Sequence, residues 1–121
     1  MDKKILVIDD EKNMRKLLKL ELGDQGYEVI SAENASDGLQ ILKHTIVDLV
    51  VLDIKMPGMD GIEALEKIVS IHRELPVVIH SAYSHYKENY LTWSAVAYVV
   101  KSWDFSELTQ TIAKILNKTK S

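Results

Sequence analysis

Short apolar runs alternate along this chain with longer segments whose apolar residues recur every three or four positions. "ILVI" (Ile5 to Ile8) has no polar interruption, the pattern of a strand buried on both faces. Beyond it Met14, Leu17, Leu18 and Leu22 fall on one helical stripe, expected to end near Gly23 or Gly26. "EVISA" predicts a second strand, and either Asn34 or Ser36 is suited to cap a helix carrying Leu39, Ile41 and Leu42. "DLVVLD" predicts a third strand, followed by a helix with Ile62, Leu65, Ile68 and Val69. "PVVIHS" predicts a fourth, with Pro76 at its start, where a missing N–H does least harm. "SHYKENYLTW" is the least regular helical segment, poor in apolar periodicity, and "VAYVV" predicts the fifth strand. Asp104, with Glu107 three residues on, resembles a capping box opening a last helix with Leu108, Ile112, Ile115 and Leu116.

Five strands alternating with five helices predict an α/β domain, a parallel sheet covered on both faces. Its 121 residues suffice for one sizeable core, and no linker, repeat or low-complexity stretch divides them. The formal net charge of -3 and the scattered basic residues do not advertise nucleic-acid binding. The absence of cysteine excludes disulfides, thiolate metal sites and thiol catalysis. The start "MDKKILVIDDEK" is not a signal peptide, and no stretch approaches the roughly 20 apolar residues of a membrane helix. A cytoplasmic location is the default expectation.

Ligands of such sheets sit beyond the carboxyl ends of the strands. There the first strand supplies Asp9 and Asp10, the third Asp53, the fourth Ser81 and the fifth Lys101. Each has an ordinary reading alone: a helix cap for Asp9 or Asp10, a turn hydroxyl for Ser81, a solvated charge for Lys101. Together they change the odds. Clustered carboxylates raise one another's pKa unless a cation sits between them, and Lys101 is one charge against three. Hard oxygen donors without imidazole or thiolate suit Mg²⁺, which commonly completes its shell with a phosphate oxygen. Acids, a lysine and a hydroxyl in one pocket make a phosphoryl-transfer site.

"VIDDE", "LDIKMPGMDG", "SAY" and "AYVVK" resemble, in order and over essentially the whole chain, the signature segments of the receiver domain of two-component response regulators. The resemblance implies a flavodoxin-like, doubly wound sheet of order 2-1-3-4-5 with five helices. It implies that Asp53 is the phosphoacceptor, taking a phosphoryl group from a sensor histidine kinase or a phosphotransfer protein. An ionised carboxylate needs no general base for that attack. By the same resemblance Asp10 and Asp53 contact Mg²⁺ directly, Asp9 holds it through water, and the Lys55 backbone carbonyl adds a ligand, in a loop shaped by Pro57 and Gly61. Ser81 donates to one phosphoryl oxygen and Lys101 pairs with another. Tyr98, three residues before Lys101, stands in the place of a switch aromatic that moves when Ser81 engages the phosphoryl group. A downstream protein is then expected on the face made by the fourth helix, fifth strand and fifth helix.

The chain departs from the family where Ser102 follows Lys101 in place of the usual proline, and where Ser81 replaces the commoner threonine. Lys55 and Tyr83 flank the expected approach of water to a phosphoryl group, and neither offers a carboxamide to orient it, so slow self-dephosphorylation is expected. His80 reads as a packed strand residue, while His44, His72 and His85 are too scattered for a metal cage. Trp93 and Trp103 flank the fifth strand, as packing residues or as an aromatic partner surface. Three rivals remain. A flavin or nucleotide module would need glycines or hydroxyls where "DDEKN" stands, and an aspartyl phosphatase carries its nucleophile after the first strand. A receiver that docks without phosphate is opposed by the complete acid set. No output domain is expected within residues 1–121, which fit either a stand-alone switch or an excised piece of a larger regulator.

Overall fold

The computed structural model describes residues 2–54, 59–82 and 95–118. In chain order they form β1 (Lys4–Ile8), α1 (Lys12–Asp24), β2 (Glu28–Ala32), α2 (Ala35–His44), β3 (Leu49–Leu52), α3 (Met59–Ile71), β4 (Val77–Ser81), β5 (Ala97–Val100) and α4 (Ser106–Lys118). All strand pairs are parallel and the sheet order is β2-β1-β3-β4-β5. Five helices are expected from the sequence and four are found among the described residues. The segment "SHYKENYLTW" falls within residues 83–94, outside them, so the expected fifth helix is α4 here.

Strand alternation sorts the core into two halves. Ile5 and Val7, Leu49 and Val51, Val78, and Val99 face α1 and α4, where they meet Leu18, Leu22, Leu108, Ile112 and Leu116. Leu6 and Ile8, Val50 and Leu52, and Val77 and Ile79 face the other way, onto Leu42 of α2 and Ala64, Leu65 and Ile68 of α3. Of the stripe expected on α1, Leu18 and Leu22 are fully buried while Leu17, one residue round the helix, is 37% exposed.

Helix ends settle what the sequence leaves open. Gly26, not Gly23, stops α1: at φ 95° it takes the left-handed conformation that glycine adopts without cost. Its N–H donates to the Gly23 carbonyl at 2.9 Å and the Tyr27 N–H to that of Leu22 at 3.2 Å, a Schellman motif. Asn34, not Ser36, caps α2, its side chain accepting the Asp37 N–H at 2.8 Å. The capping box expected from Asp104 and Glu107 is replaced by a shorter turn. Asp104 accepts the N–H of Ser106 at 2.9 Å and its hydroxyl at 2.5 Å, which holds the Asp104 carboxyl below its ordinary pKa.

Gly38 brings α2 against β1. A Cβ at this position would overlap Cδ1 of Ile8 and lie 2.8 Å from its Cγ1, and Ile8 is buried in the α2/α3 half of the core. Overpacking at such a contact costs about 1–3 kcal/mol. Gly38→Val is expected to destabilise the domain by that amount despite any gain in helix propensity, read as a fall in the urea midpoint at unchanged slope.

Candidate functional site

The strand alternation that sorts the core also builds the site. Asp9 continues the Ile5–Val7 face of β1, Asp53 the Leu49–Val51 face of β3 and Lys101 the Ala97–Val99 face of β5. Their backbones are fixed by ladder hydrogen bonds just beyond the strands. The Asp9 N–H donates to Ala32 at 3.1 Å, the Asp53 N–H to Ile8 at 2.9 Å and the Lys101 N–H to Ser81 at 2.7 Å. The Lys101 Nζ consequently lies 3.0 Å from Asp9 Oδ2, 3.4 Å from Asp53 Oδ2 and 2.7 Å from Glu11 Oε1. Asp9 is buried, and the Asp53 side chain is only 7% exposed.

Burial disfavours charge on Asp53, and the Asp9 carboxylate adds to the effect; Lys101 offsets part of it, leaving the Asp53 carboxyl pushed up to about 6. At neutral pH it is still mostly ionised. Burial alone would lower the Lys101 pKa, but Glu11, Asp53 and Asp9 together raise it, so the ammonium stays charged. The hydrogen bond from Lys101 in turn lowers the Glu11 carboxyl.

Asp9, Asp10 and Asp53 each offer a carboxylate oxygen, and these lie within 4.8 Å of one another. The donors are hard oxygens, the residues grade from buried to exposed, and the charge exceeds what Lys101 balances. That set fits an oxygen-loving divalent cation such as Mg²⁺.

Ser81 is fully buried, and its hydroxyl donates to the Ile54 carbonyl at 3.0 Å. It is register-paired with Val100, whereas Tyr98 pairs with Ile79, so Ser81 and Tyr98 lie diagonally on the α2/α3 side of the sheet. Lys55, Pro57, Tyr83, His85 and Trp93 lie outside the described residues, as does the side chain of Gly61's segment. Trp103 is 91% exposed, which removes the packing reading for it.

Glu11 stands in "VIDDE", yet sequence pattern alone assigns it no role. Glu11 occupies the N-cap of α1, yet its side chain makes no capping bond, and its carboxylate goes to Lys101 instead. A glutamate where a short capping side chain is preferred was the available signal. The cap region is steadied from behind: the Glu11 N–H donates to Asp9 Oδ1 at 2.9 Å, and Arg15 Nη1 donates to the Asp9 carbonyl at 2.8 Å.

His80 packs as expected, buried in β4 with its ring centroid 6.5 Å from that of Phe105. Its Nδ1 has no hydrogen-bond partner among the described residues. Burial, helped by the charge of Lys101, lowers its pKa from 6.5 to about 4. The unfolded chain therefore takes up this proton first, and stability is lost as pH falls from about 6.5 to about 4. His80→Leu is expected to remove roughly 2–3 kcal/mol of that loss, seen by comparing urea unfolding of wild type and variant across the window. The raised Asp53 pKa acts in the opposite sense over part of this range and cancels in the comparison.

A model of the response regulator receiver domain family matches residues 5–113. Sporulation initiation phosphotransferase F of Bacillus subtilis is 34% identical over 118 residues, 96% of this chain and 95% of that protein. Regulatory protein AtoC of Escherichia coli is 35% identical over 115 residues, but this chain spans only 25% of its length. Among solved structures, the response regulator protein TrrA of Thermotoga maritima, in complex with Mg²⁺-BeF, superposes with a TM-score of 0.88 at 43% identity, over 93% of this chain and 98% of that one. TrrA in complex with the histidine kinase ThkA gives 0.87 at 44% identity, over 94% and 98%. With its sheet order, its strand-end acids and these relatives all in agreement, the chain belongs to the response regulator receiver domain family.

Proposed function

We propose that this domain is a phosphorylation-controlled switch or relay that accepts a phosphoryl group on Asp53. The observation that carries the reading is the setting of Asp53: a nearly buried carboxylate at the end of β3, bridged to Asp9 by the Lys101 ammonium, with the Ser81 hydroxyl on the neighbouring Ile54 carbonyl. An Asp53 oxygen attacks the phosphorus of a phosphohistidine, the P–N bond breaks, and its electrons leave with the imidazole. Lys101 pairs with one phosphoryl oxygen and Ser81 donates to another. Asp10 and Asp53, Asp9 through water, and the Lys55 carbonyl are the ligands assigned to Mg²⁺, which when bound offsets charge on the transferring group. The donor is a histidine kinase or phosphotransfer protein, as the complex of TrrA with ThkA suggests. No described helix is long and apolar enough to cross a membrane, in keeping with a cytoplasmic site of action.

The readout is conformational. When Ser81 turns from the Ile54 carbonyl to a phosphoryl oxygen, Tyr98 moves toward the space vacated, and the surface of β5 and α4 changes for a downstream protein. Exposed Trp103 is an anchor of the kind such partners use. Lys55 and Tyr83, outside the described residues, are assigned the part of slowing the loss of the phosphoryl group.

Incubation with a small-molecule phosphodonor and Mg²⁺ is expected to add the mass of one phosphoryl group. The addition disappears in Asp53→Asn and falls sharply with chelator. Phosphorylated wild type also shows altered hydrogen exchange in β5 and α4. A mass shift that persists in Asp53→Asn and maps elsewhere would refute the assignment.

The lifetime is tested separately. Decay of the phosphoprotein in Mg²⁺ is expected to quicken in Lys55→Asn and Tyr83→Ala, and unchanged or slower decay in both rejects their role.

A further inference from the structure

Lys101 and a divalent cation compete for the same carboxylates. Asp9 and Asp53, which hold the ammonium at 3.0 and 3.4 Å, are two of the three residues that, among those described, are able to gather round a cation. Two positive centres sharing these carboxylates repel strongly where water is scarce. Lys101 must then give ground when a cation arrives, and a lysine released into solvent is lost to the phosphoryl group.

Glu11 resolves the conflict. Its contact with Lys101 is the shortest of the three at 2.7 Å, and its side chain is 60% exposed where that of Asp9 is 2% exposed. Glu11 is absent from the group of carboxylates positioned for a cation. It stands on the solvent side of the ammonium, anchored through its own N–H to Asp9, with a side chain that no capping bond engages. We propose that Glu11 is the carboxylate that retains Lys101 at the rim of the site when Mg²⁺ takes Asp9 and Asp53, which makes it a positioning residue for the transfer. The inference rests on the Mg²⁺ reading of the acidic cluster and does not require phosphorylation to be observed.

The test is an amide chemical-shift titration with Mg²⁺ for wild type, Glu11→Gln, Lys101→Met and the double variant. With no carboxylate to withdraw to, Lys101 in Glu11→Gln competes harder for Asp9 and Asp53, and Mg²⁺ binding weakens roughly 3–10-fold. In the Lys101→Met background the same substitution has an effect of less than about 2-fold. An equal loss in both backgrounds overturns the proposal, because Glu11 would then act only as a further negative charge. Because Lys101→Met leaves buried carboxylates without their partner, a second reading uses surface variants alone. In saturating Mg²⁺ the Lys101 ammonium proton signal persists in wild type and exchanges away in Glu11→Gln; an unchanged signal in Glu11→Gln also overturns it. Wild type that fails to bind Mg²⁺ rejects the cation reading itself, a failure distinct from intact binding without coupling.

Discussion

Like charges forced together at one end of a sheet set the terms for everything around them. Asp9 and Asp53 are neighbours because β1 and β3 are paired in register, Ile8 opposite Leu52, and the next residue of each strand is an aspartate on the same face. The balancing charge comes from β5, on the far side of β4 in the sheet order. At ordinary strand spacing that is a span of roughly 10 Å from β3, which a long side chain is needed to cover. The position of β5 therefore matters electrostatically as well as for packing: a shift of that edge strand would withdraw the ammonium and leave buried carboxylates uncompensated.

Two layers of dependence follow from the alternation of side chains. The face toward α1 and α4 carries Asp9, Asp53, His80 and Lys101, the charged and titratable groups, above a core of Val and Leu. The opposite face carries Ser81 and Tyr98 above the α2/α3 half of the core. Charge is thus gathered on one side of the sheet, while the hydrogen bond from Ser81 to the Ile54 carbonyl lies on the other, at the end of β4.

Much of this could be read before any coordinates. Buried parallel strands write themselves as uninterrupted apolar runs, as "ILVI" does, and all five strands fall within a residue or so of the expected segments. The acids at the strand ends followed from those boundaries. Less visible were features that depend on distance or on a dihedral angle. Gly23 and Gly26 are equivalent as letters, and only the positive φ separates them. Glu11 and Lys101 are 90 residues apart in sequence, and no periodicity links a helix cap to an edge strand. Asp104 looked like half of a capping box because the spacing to Glu107 is right, but an aspartate this close to Ser106 finds a nearer donor.

The bond from Ser81 to the Ile54 carbonyl bears on how quiet the domain is when nothing is happening upstream. A hydroxyl left to rotate would drift at random through the orientation proposed above for the phosphorylated domain. One that is already satisfied by a carbonyl does so less often. A buried neutral hydrogen bond contributes about 1 kcal/mol net, enough to suppress such excursions about 5-fold. On the proposed function, the serine assigned to sense the phosphoryl group would also set the background against which that change is heard.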